Sequence, residues 1–324
     1  MVNIATTADT VADLQDEHEV NCIAFQSLVV TLALSEVALW TAVWSGWYWI
    51  AVPLVLVSAH FMHGLLIGLH EASHGLLRKS RRLNEFDGVL IGIFAVTPFS
   101  LYRVVHQAHH VHLATERDTE LWPFVLPNTP RWARLLAAFA ELTLGLFYSP
   151  LIFLRVFLRS DSPIRAQRVR KRIWTELAVT VVAWIVILAV VAVGHYWKYW
   201  FWMYLAPAMI AANLQSWRKY VEHMGLTGNT VNSSTRSIVP KSWLGRIFAY
   251  TLLHEPYHGV HHQNAGLPHT VLPEYTSMLT PKEPGDRAPF MSYRHALPDL
   301  MRSLANPRVG SQWRTPARNG QPVA

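Results

Sequence analysis

A single cysteine, Cys22, stands among 324 residues. No disulfide framework, cysteine-ligated zinc or iron–sulfur cluster can therefore be assembled within one chain. Charge is also scarce: Asp, Glu, Lys and Arg make up 15% of the residues and hydrophobic types 51%, where a soluble domain carries about a quarter charged residues. That excludes an ordinary soluble globular chain and points to one embedded in a bilayer. Lys and Arg are missing altogether from residues 1–22, which hold Asp9, Asp13, Asp16, Glu17 and Glu19. A secretory signal needs a positive start, so this segment is expected to be a mobile acidic tail.

Long apolar runs are present instead. Four stretches come close to the roughly 20 apolar residues that a spanning helix needs: 23–44, 48–69, 174–194 and 200–217. Residues 45–47 join the first pair and 195–199 the second, so each pair reads as a helical hairpin with Trp and Tyr crowding the turn, as at a membrane interface. Residues 86–105 are interrupted by Pro98, Ser100 and Arg103, and residues 135–158 by Glu141, Pro150 and Arg155; both are expected to lie in the interface. Of the 28 Lys and Arg, only Lys198 falls in the two hairpin turns. The positive-inside rule then places both termini and the long central segment in the cytoplasm. The net charge of +7 is thereby accounted for by orientation and anionic headgroups, with no need of nucleic acid.

Seventeen histidines are the anomaly. Three clusters stand out: His70-Glu71-Ala72-Ser73-His74, His106-Gln107-Ala108-His109-His110 and His258-Gly259-Val260-His261-His262. Positions i, i+3 and i+4 share one helix face, so each cluster can aim two or three imidazoles at one point. At this histidine content the first pattern is expected about once by chance and each of the other two roughly 0.05 times, which makes the set specific and the first cluster alone worthless. If residues 86–105 do not cross, all three clusters meet at one cytoplasmic face. Eight neutral imidazoles exceed the usual ligand number of one zinc and suit two transition-metal ions.

At these residues the sequence resembles the membrane fatty acid desaturase superfamily, which also includes membrane alkane hydroxylases and carotenoid hydroxylases and ketolases. The resemblance runs roughly from His60 to Tyr275. Glu222-His223-Met224-Gly225 is similar to the family segment that follows the last span and implies His223 as a ninth ligand, and residues 114–120 resemble the acidic stretch after the second cluster. It implies two non-haem irons held by His70, His74, His106, His109, His110, His223, His258, His261 and His262. It further implies O2 as co-substrate and electrons from a separate ferredoxin-like or b-type cytochrome donor with its reductase. After His262 the chain reads Gln263-Asn264-Ala265-Gly266-Leu267-Pro268-His269, where many desaturases continue with Leu-x-Pro.

The expected fold is all-α and integral to the membrane: four transmembrane helices in two hairpins, interfacial helices and a cytoplasmic histidine-rich cap. A mobile tail over 1–22, a desaturase-like domain over 23–280 and a C-terminal tail over 281–324 complete it. Glu71, Asp118, Glu120, Glu222 and Glu255 are candidates to orient the imidazoles, and His254, four residues before His258, is a candidate additional ligand. His60 and His63 read as core histidines, His112 and His269 as neighbours of the site, and His18, His195 and His295 as unrelated. The arginines of 165–172 and Arg218-Lys219 could hold an anionic headgroup or carrier phosphate. The expected reaction is removal of two vicinal hydrogens from an acyl chain or other lipid; hydroxylation or ketolation of a carotenoid, an alkane or another apolar, sterol-like substrate is the alternative. A metal transporter would spread ionisable residues through the spans, and a zinc hydrolase built on His70, Glu71 and His74 would leave the other clusters unexplained.

Overall fold

The computed structural model describes residues 19–314. The expected acidic segment lies mostly outside these residues, as do His18 and the end of the expected C-terminal tail. Thirteen α-helices follow along the described chain: α1 Ile23–Trp44, α2 Tyr48–His74, α3 Arg81–Phe94, α4 Phe99–Val111, α5 Arg131–Thr143, α6 Gly145–Leu158, α7 Gln167–Val193, α8 Trp197–Trp200, α9 Ala206–His223, α10 Val231–Ser234, α11 Trp243–Thr251, α12 His258–Gln263 and α13 Tyr293–Leu304. Among the described residues the β-structure is an isolated bridge between Ile238 and Phe290.

Three helices, α1, α2 and α7, are long and apolar enough to cross a membrane. The 27 residues of α2 make a rod of about 40 Å, longer than the roughly 30 Å of bilayer hydrocarbon. The stretch expected as a fourth crossing, 200–217, is interrupted: a π turn over Phe201–Leu205 separates α8 from α9. Pro207 has no N–H to give to the preceding turn, so the regular ladder is broken just where the π turn forms. Residues 86–105 belong to two helices, α3 and α4, bent by 99° and counted as a fourth crossing only if the pair is one broken span. Pro98 sets this corner, because a proline disfavours the helical region for the residue before it, and Val96 there takes φ 54°.

The two hairpin turns meet at one end of the bundle. Trp40 stacks on Tyr199 with ring centroids 4.4 Å apart, and Tyr48 on Trp202 at 5.5 Å. The carboxyl ends of α2 and α9, which carry His74 and His223, lie at the opposite end. There, one apolar core joins Phe25, Ile67, Phe99, Leu101, Phe157 and Ile173. A second joins Leu121, Phe124, Tyr220 and Met224 to Ala296 and Leu300 of α13. Part of the expected C-terminal tail is thus a helix packed under α9.

Candidate metal centre

All nine expected histidines converge, from α2, α4, α9 and α12. They divide into two adjoining groups. His70, His74, His106, His110 and His261 form one, with a nitrogen from each within 4.8 Å of the others. His109, His223 and His262 form the second, which His258 joins through His223. Helical spacing explains the division: in each three-histidine cluster neighbouring residues point to different groups, so His106 and His110 serve one and His109 the other.

The imidazole nitrogens face one another at short range. His106 Nε2 lies 3.0 Å from His110 Nε2, which lies 3.1 Å from His261 Nε2, and His223 Nε2 lies 2.9 Å from His258 Nε2. Nitrogens bound at about 2.1 Å to one ion and at right angles to each other sit about 3 Å apart, so the spacing suits shared coordination. The Nε2 atoms of His70, His74 and His262 are buried without a hydrogen-bond partner, a loss that a bound cation would remove.

Carboxylates and a carbonyl hold the outer ring nitrogens. His106 Nδ1 donates to Glu120 Oε2 at 3.0 Å, His109 Nδ1 to Asp118 Oδ2 at 2.8 Å, His258 Nδ1 to Glu255 Oε1 at 3.0 Å and His223 Nδ1 to the Ser234 carbonyl at 3.2 Å. A proton committed to Nδ1 leaves the Nε2 lone pair facing inward. Asp118 is itself fixed by the backbone N–H groups of Ala114, Glu120 and Leu121.

Glu255 touches both groups. Its Oε2 lies 3.0 Å from His70 Nδ1, while its Oε1 accepts from His258 and from Arg218 Nη1 at 2.6 Å. The chain reaches this position through Leu253 (φ 47°) and His254 (φ 54°), two consecutive side chains in the left-handed region. Such strain persists only where its surroundings impose it. Burial alone would raise the Glu255 carboxyl, but His70, Arg218 and the hydrogen bond from His258 outweigh it and hold it well below the usual range.

Arg218 corrects one expectation. It is buried, and its guanidinium donates to both oxygens of Glu222 as well as to Glu255. Lys219 pairs with buried Glu141. In these poses neither holds a headgroup. Glu222 accordingly serves Arg218 first and stands 3.7 Å from His258 Nε2. Glu71 lies 3.8 Å from His70 Nδ1. His254 is apart from both groups; its ring stacks on buried His269 with centroids 5.9 Å apart, and burial pushes it down to about 4. His60 Nε2 lies 2.8 Å from the Thr251 hydroxyl, and His63 is buried outside the two groups of candidate ligands.

Beside the histidines lies an apolar cavity of about 580 Å³, whose walls include Leu69, Tyr102, Phe153 and Met203. Tyr102 connects the two features, its ring lying parallel to that of His106 at 5.4 Å. The i, i+4 spacing of Tyr102 and His106, and of Arg218 and Glu222, was the available signal for these supporting residues. Arg236 had no local signal. It is fully buried, donates to the carbonyls of Val221 and Met224, and so closes the helix end that carries His223.

A family model described as fatty acid desaturase matches residues 46–294. The chain is also similar to an sn-1 acyl-lipid omega-3 desaturase (ferredoxin) of Synechocystis sp., 26% identical over 154 residues, which cover 48% of this chain and 41% of that relative.

Proposed function

Because the chain belongs to the fatty acid desaturase family, we propose that it is an O2-dependent di-iron lipid desaturase supplied with electrons by a separate ferredoxin-type protein. Two adjoining groups of largely buried histidines, set beside an apolar cavity, carry this reading. In it, the five-histidine group holds one iron, and His109, His223, His258 and His262 hold the other. The ions supply the oxidising power, derived from O2, that no side chain has for an unactivated C–H bond.

The protein's own part is placement. Glu120, Asp118, Glu255 and the Ser234 carbonyl fix the imidazole tautomers and so the direction of every lone pair. Cavity walls exclude water and align a chain beside Tyr102, and the approach of one C–H pair decides the product. Two electrons from the donor, two from the substrate and four protons convert O2 to two waters, so the substrate leaves two hydrogens lighter. A lipid substrate and a ferredoxin-type donor are supported by what the Synechocystis relative is named for. Four crossings with both termini and the histidine centre on the cytoplasmic face complete the reading, supported by Lys198 standing alone in the hairpin turns and by the stacking of those turns at one end.

Protein purified without added metal is expected to contain about two irons per chain, as a ligand set of this size implies. Under labelled O2 the product is expected to carry no label and to have lost two hydrogens. One zinc per chain, or a labelled alcohol or ketone as the main product, would overturn the proposal in favour of a hydrolase or a hydroxylase.

A further inference from the structure

Phe25, Val29, Leu32 and Glu36 all line the apolar cavity. Their spacing places them along one face of α1, and a rise of about 1.5 Å per residue separates the first from the last by roughly 16 Å. The stripe is apolar until its last member, a glutamate in the middle of a helix able to cross a membrane. Glu36 Oε1 is buried and has no hydrogen-bond partner. The Ser58 hydroxyl bonds to the Glu36 carboxyl and lies 3.1 Å from that of Ser35, which donates to the Leu32 carbonyl at 2.8 Å, and Oε1 is still left without a partner. The residue is half-buried, and a carboxyl oxygen left without a partner at hydrocarbon depth is costly, so its retention points to a task.

The cavity has a direction. At its Phe25 end are Leu69, which precedes His70, and Tyr102, which stacks on His106. Arg78 stands over the Phe25 ring at 4.8 Å and pairs with Asp87 at 2.5 Å. Glu36 is at the far end, roughly 16 Å deeper by helix length. A chain seated with its reacting carbons beside Tyr102 sends one end toward Glu36.

We propose that Glu36 selects substrates whose apolar chain ends in a hydroxyl. The hydroxyl donates to Glu36 Oε1, while a methyl end would leave that oxygen unpartnered in hydrocarbon. The proposal rests on the lipid-oxidising reading only for the direction in which the chain lies, and binding tests it without turnover.

The full-length protein in detergent is titrated calorimetrically with saturated fatty acids of about 10 to 18 carbons and with the same acids bearing a terminal hydroxyl; the series is needed because helix geometry fixes the depth only roughly. At the best-fitting length the hydroxylated acid is expected to bind about tenfold more tightly than its plain counterpart, the worth of one buried hydrogen bond. Glu36→Gln should keep most of that preference, because a carboxamide still accepts. Glu36→Leu should abolish it and tighten binding of the plain acid. Equal binding of both series by the wild type overturns the proposal without any variant, as does a preference that survives Glu36→Leu or Glu36→Met. If both series bind and the preference follows Glu36 but no product forms, the desaturase reading fails and the specificity stands.

Discussion

Replacing Glu255 by Gln changes one atom and one charge, and under the proposed two-ion centre the consequence falls on one ion. Oε1 accepts from Arg218 and His258, so the amide oxygen must stay there; reversing it would set an NH2 against two donors. The NH2 then takes the place of Oε2, 3.0 Å from His70 Nδ1. Two donors facing each other drive the His70 proton to Nε2, the atom that points into the five-histidine group. Loss of such a supporting partner costs about 10 to 100-fold in metal affinity, equivalent to roughly 1.4–2.7 kcal/mol. Asp118→Asn should act in the same way on the other ion, since Asp118 supports His109. Chelator titration followed by metal quantification reads the outcome: each variant loses one ion at a lower chelator concentration than the wild type, and the double variant loses both. A double variant that retains as much iron as either single variant would show that both carboxylates support one ion, and the two-group assignment would fall.

Two further outcomes follow from the packing around α9. Gly225 has φ 80°, and a β-carbon there would come within 1.9 Å of Ser303 Oγ; Gly225→Ala should cost about 1–3 kcal/mol in thermal unfolding and lower iron occupancy through His223. Asp299 accepts from Arg236 and Arg287. Burial raises its carboxyl, but the two arginines outweigh that and leave it below its ordinary value. Its stabilisation is therefore complete above about pH 3.9, its unfolded value, and is lost as pH falls through the lower folded value. Asp299→Asn should lower the melting temperature near neutral pH and flatten its fall in that acid window; an unchanged acid limb would refute the assignment.

The histidine clusters were legible because helical spacing is local: His106, His109 and His110 declare a shared face without knowledge of their partners. Their division into two groups was not, since it depends on where α12 meets α4. Glu255 was only one of several candidate acids, because its contacts with His70 and Arg218 span long sequence separations and a strained corner that composition does not announce. Arg218 misled for a physical reason: beside Lys219 it resembles an interfacial basic pair, and only the fold supplies the two carboxylates that neutralise it. The apolar runs were read well where they were uninterrupted, as in α1 and α2. Pro98 was legible as a break in 86–105, where the chain turns by 99°; the reading was poorer at Pro207, where a missing N–H interrupts a helix whose hydropathy continues.

The length of α2 couples the centre to its lipid surroundings. One continuous helix carries Tyr48 at the aromatic end and His70 and His74 at the other, so whatever seats the first also bears on the height and tilt of the last two. A bilayer thinner than the apolar part of that helix is met by tilting. Over about 40 Å, a tilt of about 3° displaces the far end by about 2 Å, enough to spoil positioning that catalysis needs to about an ångström. If the proposed function holds, acyl-chain composition would in this way reach the chemistry by leverage, making the thickness of the surrounding membrane an input to the activity of the centre.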